Sequence, residues 1–192
     1  MASLILVTVF VGMIEAVVMT SNTMDHARRV TIANQILMHE LEDLRNLGWS
    51  GSTNINGLTT ASTTIAIDPQ FWPAWNSAMT YSANHVVSYN GAYYRCILAN
   101  ANTVPPNATY WTAVTTAATT DVVVIQGATF TVDRTVTSSN PVTNIREINF
   151  TVTWVVKSSR RDASNNPLTF TYTRSASGWY GKYGLNLSYQ RS

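Results

Sequence analysis

Cysteine, histidine and charged residues are all scarce in this chain of 192 residues. The single cysteine, Cys96, excludes an internal disulfide and any zinc site that needs several thiolates. Three isolated histidines supply little for a metal site, so no cofactor is expected. The sequence shows no nucleophile–base pair, no phosphate-binding glycine loop and no paired acids in apolar surroundings, and an enzyme is therefore not predicted.

Charge is low in both signs, since Lys and Arg number 12, Asp and Glu number 10, and charged residues make up 11% of the chain. The basic residues are scattered rather than concentrated in one segment, which argues against a nucleic-acid partner. Hydrophobic residues make up 45%, which excludes a disordered polyelectrolyte. A chain of this length suits one domain, or a small domain that carries an insertion.

What the sequence does contain is a long apolar run near its start. Residues 2–19 read ASLILVTVFVGMIEAVVM and hold one charge, Glu15. As a helix this run would span about 27 Å, close to the thickness of a bilayer core, so a membrane anchor is its simplest interpretation. No Lys or Arg precedes the run and no small-residue cleavage site follows it, which disfavours a secretory signal peptide.

The apolar run continues into an amphipathic helical pattern. Apolar residues recur at steps of three and four over residues 32–47, with charged residues on the other faces. Gly48 follows the last periodic residue and predicts the end of the helix. We therefore predict one long helix over about residues 1–47, loosened locally by the poor helix formers Gly12 and 20–23.

After this helix the sequence takes on the composition of β-strands. Five segments are rich in Thr, Val, Ile and aromatic residues: LTTASTTIAI, DVVVIQ, ATFTVDRTVT, REINFTVTWVVK and LTFTYTR. One alternate set of apolar residues would share a face: Ile148, Phe150, Val152, Trp154 and Val156. Turn-forming residues at 138–141 and 162–167 separate the segments. These patterns predict an α+β fold, with the long helix packed on an antiparallel β-sheet head.

A helix that is apolar first and amphipathic later, followed by an antiparallel sheet, resembles a type IV pilin or pseudopilin. ANQILMHELEDLRNLGW (33–49) is similar to the end of the long helix in the minor-pilin subgroup. ATFTVDRTVT followed by REINFTVTWVV is similar to that subgroup's paired strands. The resemblance implies a head made of residues 48–71 and 114–192.

The same resemblance implies a structural subunit of an extracellular cell-surface filament that is membrane-inserted before assembly. Its partners would be copies of itself in a helical homopolymer, the inner membrane, and the assembly machinery of a pilus or type II secretion system. Residues 1–20 would form the filament core. The residues predicted to lie there are Met1, Leu4, Ile5, Leu6, Val9, Phe10, Met13, Ile14, Glu15 and Val17.

Two departures from the family pattern bear on assembly. The family is made with a short basic leader that is cleaved before methylation of the new N-terminus; with no leader here, we expect Met1 to be that residue. Most members carry Glu at the fifth mature position, where Ile5 stands here. Glu15 is the one acid that could replace it. Two interpretations of Glu15 stay open: a lateral partner in the filament core, or a protonated or snorkelling residue near the membrane edge.

A second resemblance lies within residues 75–113, which are similar to the small chitin-binding modules of bacterial chitinases. The positions that carry it are Trp75, Tyr81, Val86, Val87, Tyr89, Asn90, Gly91, Tyr94, Pro105, Pro106, Tyr110 and Trp111. Asn90-Gly91 is also a strong hairpin signal. We therefore predict a small all-β domain over residues 72–113, inserted into the head.

The sugar-binding part of that module pattern is incomplete. Cys96-Ile97-Leu98 stands where the family usually has tandem Trp residues. The residues predicted to form the core of the insert are Trp75, Tyr81, Tyr94 and Trp111. The candidates for an exposed platform that stacks on sugar rings are Trp72, Tyr93 and Tyr110. A surface polysaccharide is accordingly a candidate partner.

Three functions remain open at this point. The chain is a structural filament subunit, a low-copy adhesive pilin whose insert binds a polysaccharide, or a membrane-anchored carbohydrate-binding protein that forms no filament. Filament formation separates the third from the first two. Copy number and binding to chitin or other glycans separate the first from the second.

Overall fold

The computed structural model describes residues 2–50, 54–138, 144–182 and 186–187; the side chains of 2–9, 138, 159–160 and 186–187 lie outside the description. In these ranges one α-helix, α1 (Ala2–Asn46), precedes eleven antiparallel strands, so the fold belongs to the α+β class. Two short 3-10 helices, Ile55–Gly57 and Pro69–Phe71, flank β1. The strands are β1 (Ser62–Ile65), β2 (Thr80–Tyr81), β3 (Val86–Tyr89), β4 (Ala92–Cys96), β5 (Asn100–Ala101), β6 (Trp111–Val114), β7 (Val123–Ile125), β8 (Ala128–Ser138), β9 (Ile145–Arg161), β10 (Pro167–Gly181) and β11 (Asn186–Leu187).

Helix α1 is continuous through the segment that was expected to loosen it. The hydroxyl of Thr20 donates to the carbonyl of Ala16 at 2.8 Å, and Thr23 donates to Met19 at 2.9 Å. Such bonds to the carbonyl four residues earlier slightly destabilise a helix and often bend it. The predicted length of the helix is confirmed, and the local loosening stays a prediction.

The main sheet has the strand order β1–β8–β9–β10–β11, and β7 also pairs with β8. Strand β8 is long enough to hold both β7 and β1 on one edge, with Val123 opposite Phe130 and Ile65 opposite Val132. On its other edge β8 pairs with β9, and β9 pairs in turn with the full length of β10. The predicted strand segments thus form one sheet.

The core lies between α1 and one face of this sheet. The predicted alternate set on β9 is confirmed, since Ile148, Phe150, Val152 and Trp154 are all buried and Val156 is half-buried. From α1 the buried residues are Ala33, Ile36, Leu37 and Leu44. On β10 the small residues Ala176 and Gly178 stand opposite Phe150 and Ile148. Small residues here leave room for the large β9 side chains and for the helix above them.

Between β1 and β7 the chain forms a separate set of short strands, which we call the small β unit (residues 74–114). Strands β3, β4 and β6 make a three-stranded sheet, and β2 pairs with β5. Asn90 and Gly91 both have positive φ, at 49° and 76°, and join β3 to β4 in the predicted hairpin. A single bridge at His85–Val122 ties the unit to the chain that follows it, and the amide of Ser88 donates to the carbonyl of Pro73, just before the unit, at 2.8 Å.

Candidate functional site

The N-terminal part of α1 stands clear of the head. The helix meets the sheet at His26, whose ring centroid lies 4.8 Å from that of Tyr172 and 6.4 Å from that of Trp154. On the N-terminal side of this contact, large apolar side chains are exposed. They are Phe10, Val11, Met13, Ile14, Val17, Val18, Met19 and Met24. We call residues 10–24 the projecting helix.

Apolar exposure on the projecting helix is not confined to one stripe. Val17 is 70% exposed, Val18 54% and Met19 74%. Three consecutive helical residues point in three different directions, because each residue turns the helix by about 100°. A helix that is apolar all round is normally enclosed on every side, by lipid or by several apolar neighbours. A single partner helix would cover only part of this surface.

The predicted filament-core residues fall partly within the described region. Phe10, Met13, Ile14, Glu15 and Val17 are exposed on the projecting helix. Leu4, Ile5, Leu6 and Val9 belong to α1 by their backbone, but their side chains lie outside the description, as does Met1 altogether. Among the residues whose side chains are described, none forms a helix long and apolar enough to cross a membrane.

The projecting helix is joined to the head by polar contacts just beyond it. Arg29 donates from Nη2 to the carbonyl of Gln126 at 2.7 Å, which connects α1 to the turn between β7 and β8. Arg28 forms an exposed ion pair with Asp25 at 3.8 Å. The helix is therefore held at the point where it leaves the head.

The small β unit has its own aromatic core. Tyr81 and Trp111 are buried with Val87 and Cys96, and their rings meet edge to face at 5.1 Å. Each polar end has a partner: Trp111 Nε1 donates to the carbonyl of Thr103 at 2.9 Å, and Tyr81 Oη donates to Asn76 at 3.1 Å. Trp75 and Tyr94 pack half-buried against this cluster. All four predicted core aromatics thus meet in one place.

The three candidates for a sugar-stacking platform do not form one exposed surface, since Trp72 and Tyr93 pack on the main core and Tyr110 packs on the core of the small β unit. The expectation of an exposed Trp72 is wrong: it is 4% exposed, and Nε1 donates to the carbonyl of Ile67 at 3.0 Å. A carbonyl partner for its N–H lets this large ring join the main core. Tyr93 is half-buried with its ring edge to face on Trp72 at 5.6 Å, and Tyr110 is half-buried on the core of the small β unit. Only partial ring faces remain accessible.

A cavity of about 220 Å³ lies between the small β unit and the β7–β8 turn. Its polar lining includes Asn76, Tyr81, His85 and Gln126, against apolar residues such as Met79. Burial raises the pKa of Tyr81 and lowers the pKa of His85, so both are uncharged near neutral pH. The cavity offers neutral hydrogen-bonding groups on an apolar wall rather than a nucleophilic centre.

A second cleft, of about 370 Å³, lies where α1 passes the end of β1, and we call it the acidic cleft. The charged or ionisable residues that line it are His39, Glu40, Asp43, Asp68 and Arg134. His39 Nε2 lies 3.5 Å from Asp43 Oδ2 and 3.7 Å from Asp68 Oδ2. Burial raises the pKa of Glu40 to about 7.

Sequence reasoning missed the acidic cleft. The charged residues of the helix are visible in its amphipathic pattern. Asp68, however, lies after the end of β1, and Arg134 lies on β8, so both reach the cleft from other parts of the chain. Across the part of the chain with described side chains, no three His, Cys, Asp or Glu residues are arranged to hold a metal ion.

Comparison with known proteins gives no match for this chain among protein-family models, curated proteins or solved structures.

Proposed function

We propose that the chain is a structural subunit of an extracellular, type IV pilus-like filament that polymerises through the apolar part of α1. The supporting observation is the division of this helix into two parts. The projecting helix exposes apolar side chains in every direction, whereas Ala33, Ile36 and Leu44 are buried in the head. Several neighbouring copies, each contributing a helix, would enclose such a surface completely.

Assembly by this route exchanges one apolar environment for another. In the proposal α1 leaves the inner membrane, with the help of pilus or type II secretion machinery, and is buried again among copies of itself. Relative to exposure to water, full burial of one large apolar side chain contributes about 1.5–3 kcal/mol. The eight exposed residues therefore strongly disfavour any state in which this helix is left in water, and both the membrane and the filament core avoid that state. A repeated head-to-tail contact that does not close produces an open fibre.

One detail of the assembled state belongs to the same proposal. Glu15 is the one charged residue on the projecting helix, and it serves as a lateral partner for a positive group of a neighbouring copy. A charge enclosed among apolar helices is tolerated when it is paired.

We further propose that the small β unit is an insertion into a pilin-type head. The main sheet supports this, because β1 precedes the unit, β7 follows it, and both pair with the same edge of β8. Without the unit, β1 and β7 would still lie beside the same strand, β8. The insert would be displayed on the outside of the filament.

An adhesive subunit, or an anchored carbohydrate-binding protein, is the second candidate function. Its supporting observation is that Tyr93 and Tyr110 keep part of their rings accessible on the small β unit. The burial of Trp72 weakens this candidate, since a sugar platform needs broad exposed ring faces. Retention of the intact chain on chitin, lost in Tyr110→Ala, would favour it.

The decisive experiment is electron microscopy of filaments sheared from cells without detergent, with mass spectrometry of the same fraction. Two isoleucines of nearly equal exposure provide a matched pair of variants: Ile14 on the projecting helix is 51% exposed, and Ile97 on the small β unit is 49% exposed. Ile14→Lys places a charge in the proposed filament core and should abolish filaments. Ile97→Lys should leave them unchanged.

The wild-type chain is expected as the dominant protein of thin fibres. A chain that stays in the membrane fraction while fibres lack it would contradict the proposal. Equal fibre yields from Ile14→Lys and Ile97→Lys would also contradict it, because the projecting helix would then not be enclosed. Circular dichroism of both variants checks that the head remains folded.

A further inference from the structure

The β9–β10 hairpin extends beyond the rest of the main sheet. Pairing between β8 and β9 ends at Ala128 opposite Val156, while β9 continues to Arg161. Five further residues of β9 make this projection about 16 Å long. It is a two-stranded ribbon that the head does not cover. We call residues 157–170 the hairpin tip.

The hairpin tip is basic and partly apolar. Lys157 and Arg161 are exposed, and Arg160 adds a third positive charge by sequence. The acid of the turn, Asp162, is engaged there, because its Oδ1 accepts from the amides of Ser164 and Asn166 at 2.9 Å. Positive charges therefore outnumber negative ones.

Two apolar side chains on the β10 side of the tip are uncovered as well. Leu168 is 38% exposed and Phe170 is 48% exposed. Phe170 stands opposite Val156 in the ladder, on the face that Trp154 and Tyr172 present to α1 further along. The apolar face of the sheet thus continues past the contact with α1 at His26.

The helix side of the acidic cleft lies toward the opposite end of the head, while Arg134 on its β8 side is level with Ala176 of β10. Tyr180, near the end of β10, donates from its hydroxyl to the carbonyl of Leu41, which lies between Glu40 and Asp43 on α1. Beside the cleft, Met38 is 61% exposed and Glu42 is exposed. This surface therefore combines an exposed apolar side chain with exposed acidic residues. The hairpin tip combines exposed apolar side chains with exposed basic residues, so the two surfaces are complementary in charge.

The hairpin tip and the acidic cleft are too far apart to interact within one copy. Lys157 stands opposite Thr169 of β10, whereas Arg134 of the cleft is level with Ala176, because both stand opposite Phe150. Seven residues of β10 separate these two levels, a distance of about 23 Å along an extended strand. Screening in physiological salt reduces charge interactions beyond about 8 Å. Any attraction between the two must therefore act between copies.

We infer that the hairpin tip of one copy docks against the acidic cleft of a second copy. This inference rests on the proposed filament, because opposite ends of the head meet when copies stack head to tail. The contact is heterologous, with different surfaces on the two sides, and so it repeats without closing. Lys157 and Arg161 face Glu42 and Asp43, while Leu168 and Phe170 cover apolar surface beside Met38.

Cross-linking of the full-length chain tests the contact directly. Lys157→Cys and Asp43→Cys are made as separate variants and mixed during assembly, and Cys96 is retained because it is buried. A short thiol-specific cross-linker should join the two variants in the filament fraction. Asn107→Cys, an exposed position on the small β unit, replaces either variant as the control and should give no cross-link.

Charge reversal tests whether the contact contributes to assembly. Lys157→Glu with Arg161→Glu, and separately Glu42→Lys with Asp43→Lys, should each lower filament yield by about three- to tenfold. The chain that carries both pairs of changes should recover most of the wild-type yield. The loss should also shrink in about 0.5 M salt, where screening is stronger.

The outcomes separate this inference from the filament itself. Normal filaments from both reversal variants, with no cross-link between 157 and 43, overturn the docking contact and leave the filament proposal standing. Absence of wild-type filaments overturns both. Lys157-dependent binding to vesicles of anionic phospholipid, with no cross-link between copies, would assign the hairpin tip to a membrane surface and likewise overturn the contact.

Discussion

Arg95 of β4 holds the carboxylate of Asp121 in a two-pronged contact that joins the small β unit to the segment leading into β7. Its Nε and Nη2 both donate to Asp121, the second over 2.9 Å, and the amide of Ala118 also donates to this carboxylate at 2.7 Å. The Asp121 side chain is 1% exposed. The hydrogen bond to Asp121 raises the pKa of Arg95, so the guanidinium stays charged.

Arg95→Met should destabilise the protein by about 2–4 kcal/mol, because it leaves a buried carboxylate with a single donor. Lys157→Met, a change at an exposed lysine, should stay within about 0.5 kcal/mol of wild type. Denaturant unfolding of the full chain in detergent gives both values. A loss for Arg95→Met no larger than that of the control would show that the pair does not hold the small β unit in place.

Gly178 is a position where even a methyl group does not fit. A Cβ built there would lie 2.8 Å from Cε2 and 2.9 Å from Oη of Tyr180. That ring is buried, and its hydroxyl bonds to α1. We expect Gly178→Ala to cost about 1–3 kcal/mol, because the ring must shift away from the helix.

Gly48→Ala is the matched control for this change, since its Cβ would make only an ordinary contact with Asn54 at 3.5 Å. Its effect should be within about 0.5 kcal/mol. Thermal unfolding of the two variants makes the comparison. Equal melting temperatures would mean that Tyr180 moves without loss and that the contact between β10 and α1 is loose.

Glu40 should make stability depend on pH. Its pKa is raised by burial from 4.5 to about 7 in the folded protein, so the folded state binds more protons than the unfolded state between these values. Stability from this group is therefore fully present below the lower value and falls as pH rises to the upper one. The loss amounts to about 1–2 kcal/mol once solvent screening of this partly exposed carboxyl is allowed for.

Glu40→Gln should remove this slope and stabilise the protein near pH 8, with little effect near pH 4. Glu42→Gln, at an exposed position two residues away, should leave the slope in place. Unfolding free energies measured over this pH range test the difference. An unchanged slope in Glu40→Gln would locate the pH dependence elsewhere.

The fold was largely predictable where one periodicity governs a long segment. Steps of three and four marked α1, and strict alternation marked the buried face of β9 from Ile148 to Trp154. Asn90-Gly91 marked its hairpin because few other pairs accept positive φ at both positions. In each case local geometry and burial favour the same residues.

Contacts between distant segments were not predictable in the same way. Trp72 stands between Phe71 and Pro73 in a sequence that resembles a surface loop. In the fold its ring is buried in the main core, where Nε1 donates to the carbonyl of Ile67 and the ring of Tyr93 packs edge to face on it. The acidic cleft joins helix residues to Asp68 and to a residue of β8. No spacing in the sequence predicts that these residues line one cleft, because only tertiary packing brings the three segments together.

Glu15 tests the interior of the proposed filament. An ionised carboxylate enclosed by apolar helices costs several kcal/mol unless a positive group compensates it. If neighbouring copies supply that group, Glu15→Gln leaves it unpaired, and filament yield should fall about tenfold or more. Glu147→Gln on the main sheet should leave the yield unchanged, since this residue lies on the head. Sheared-filament yield measures both. Wild-type filament yield from Glu15→Gln would exclude the pairing role and favour a carboxylate at the membrane edge before assembly. The proposed enclosure of Ile14 and Val17 by neighbouring copies would still account for polymerisation.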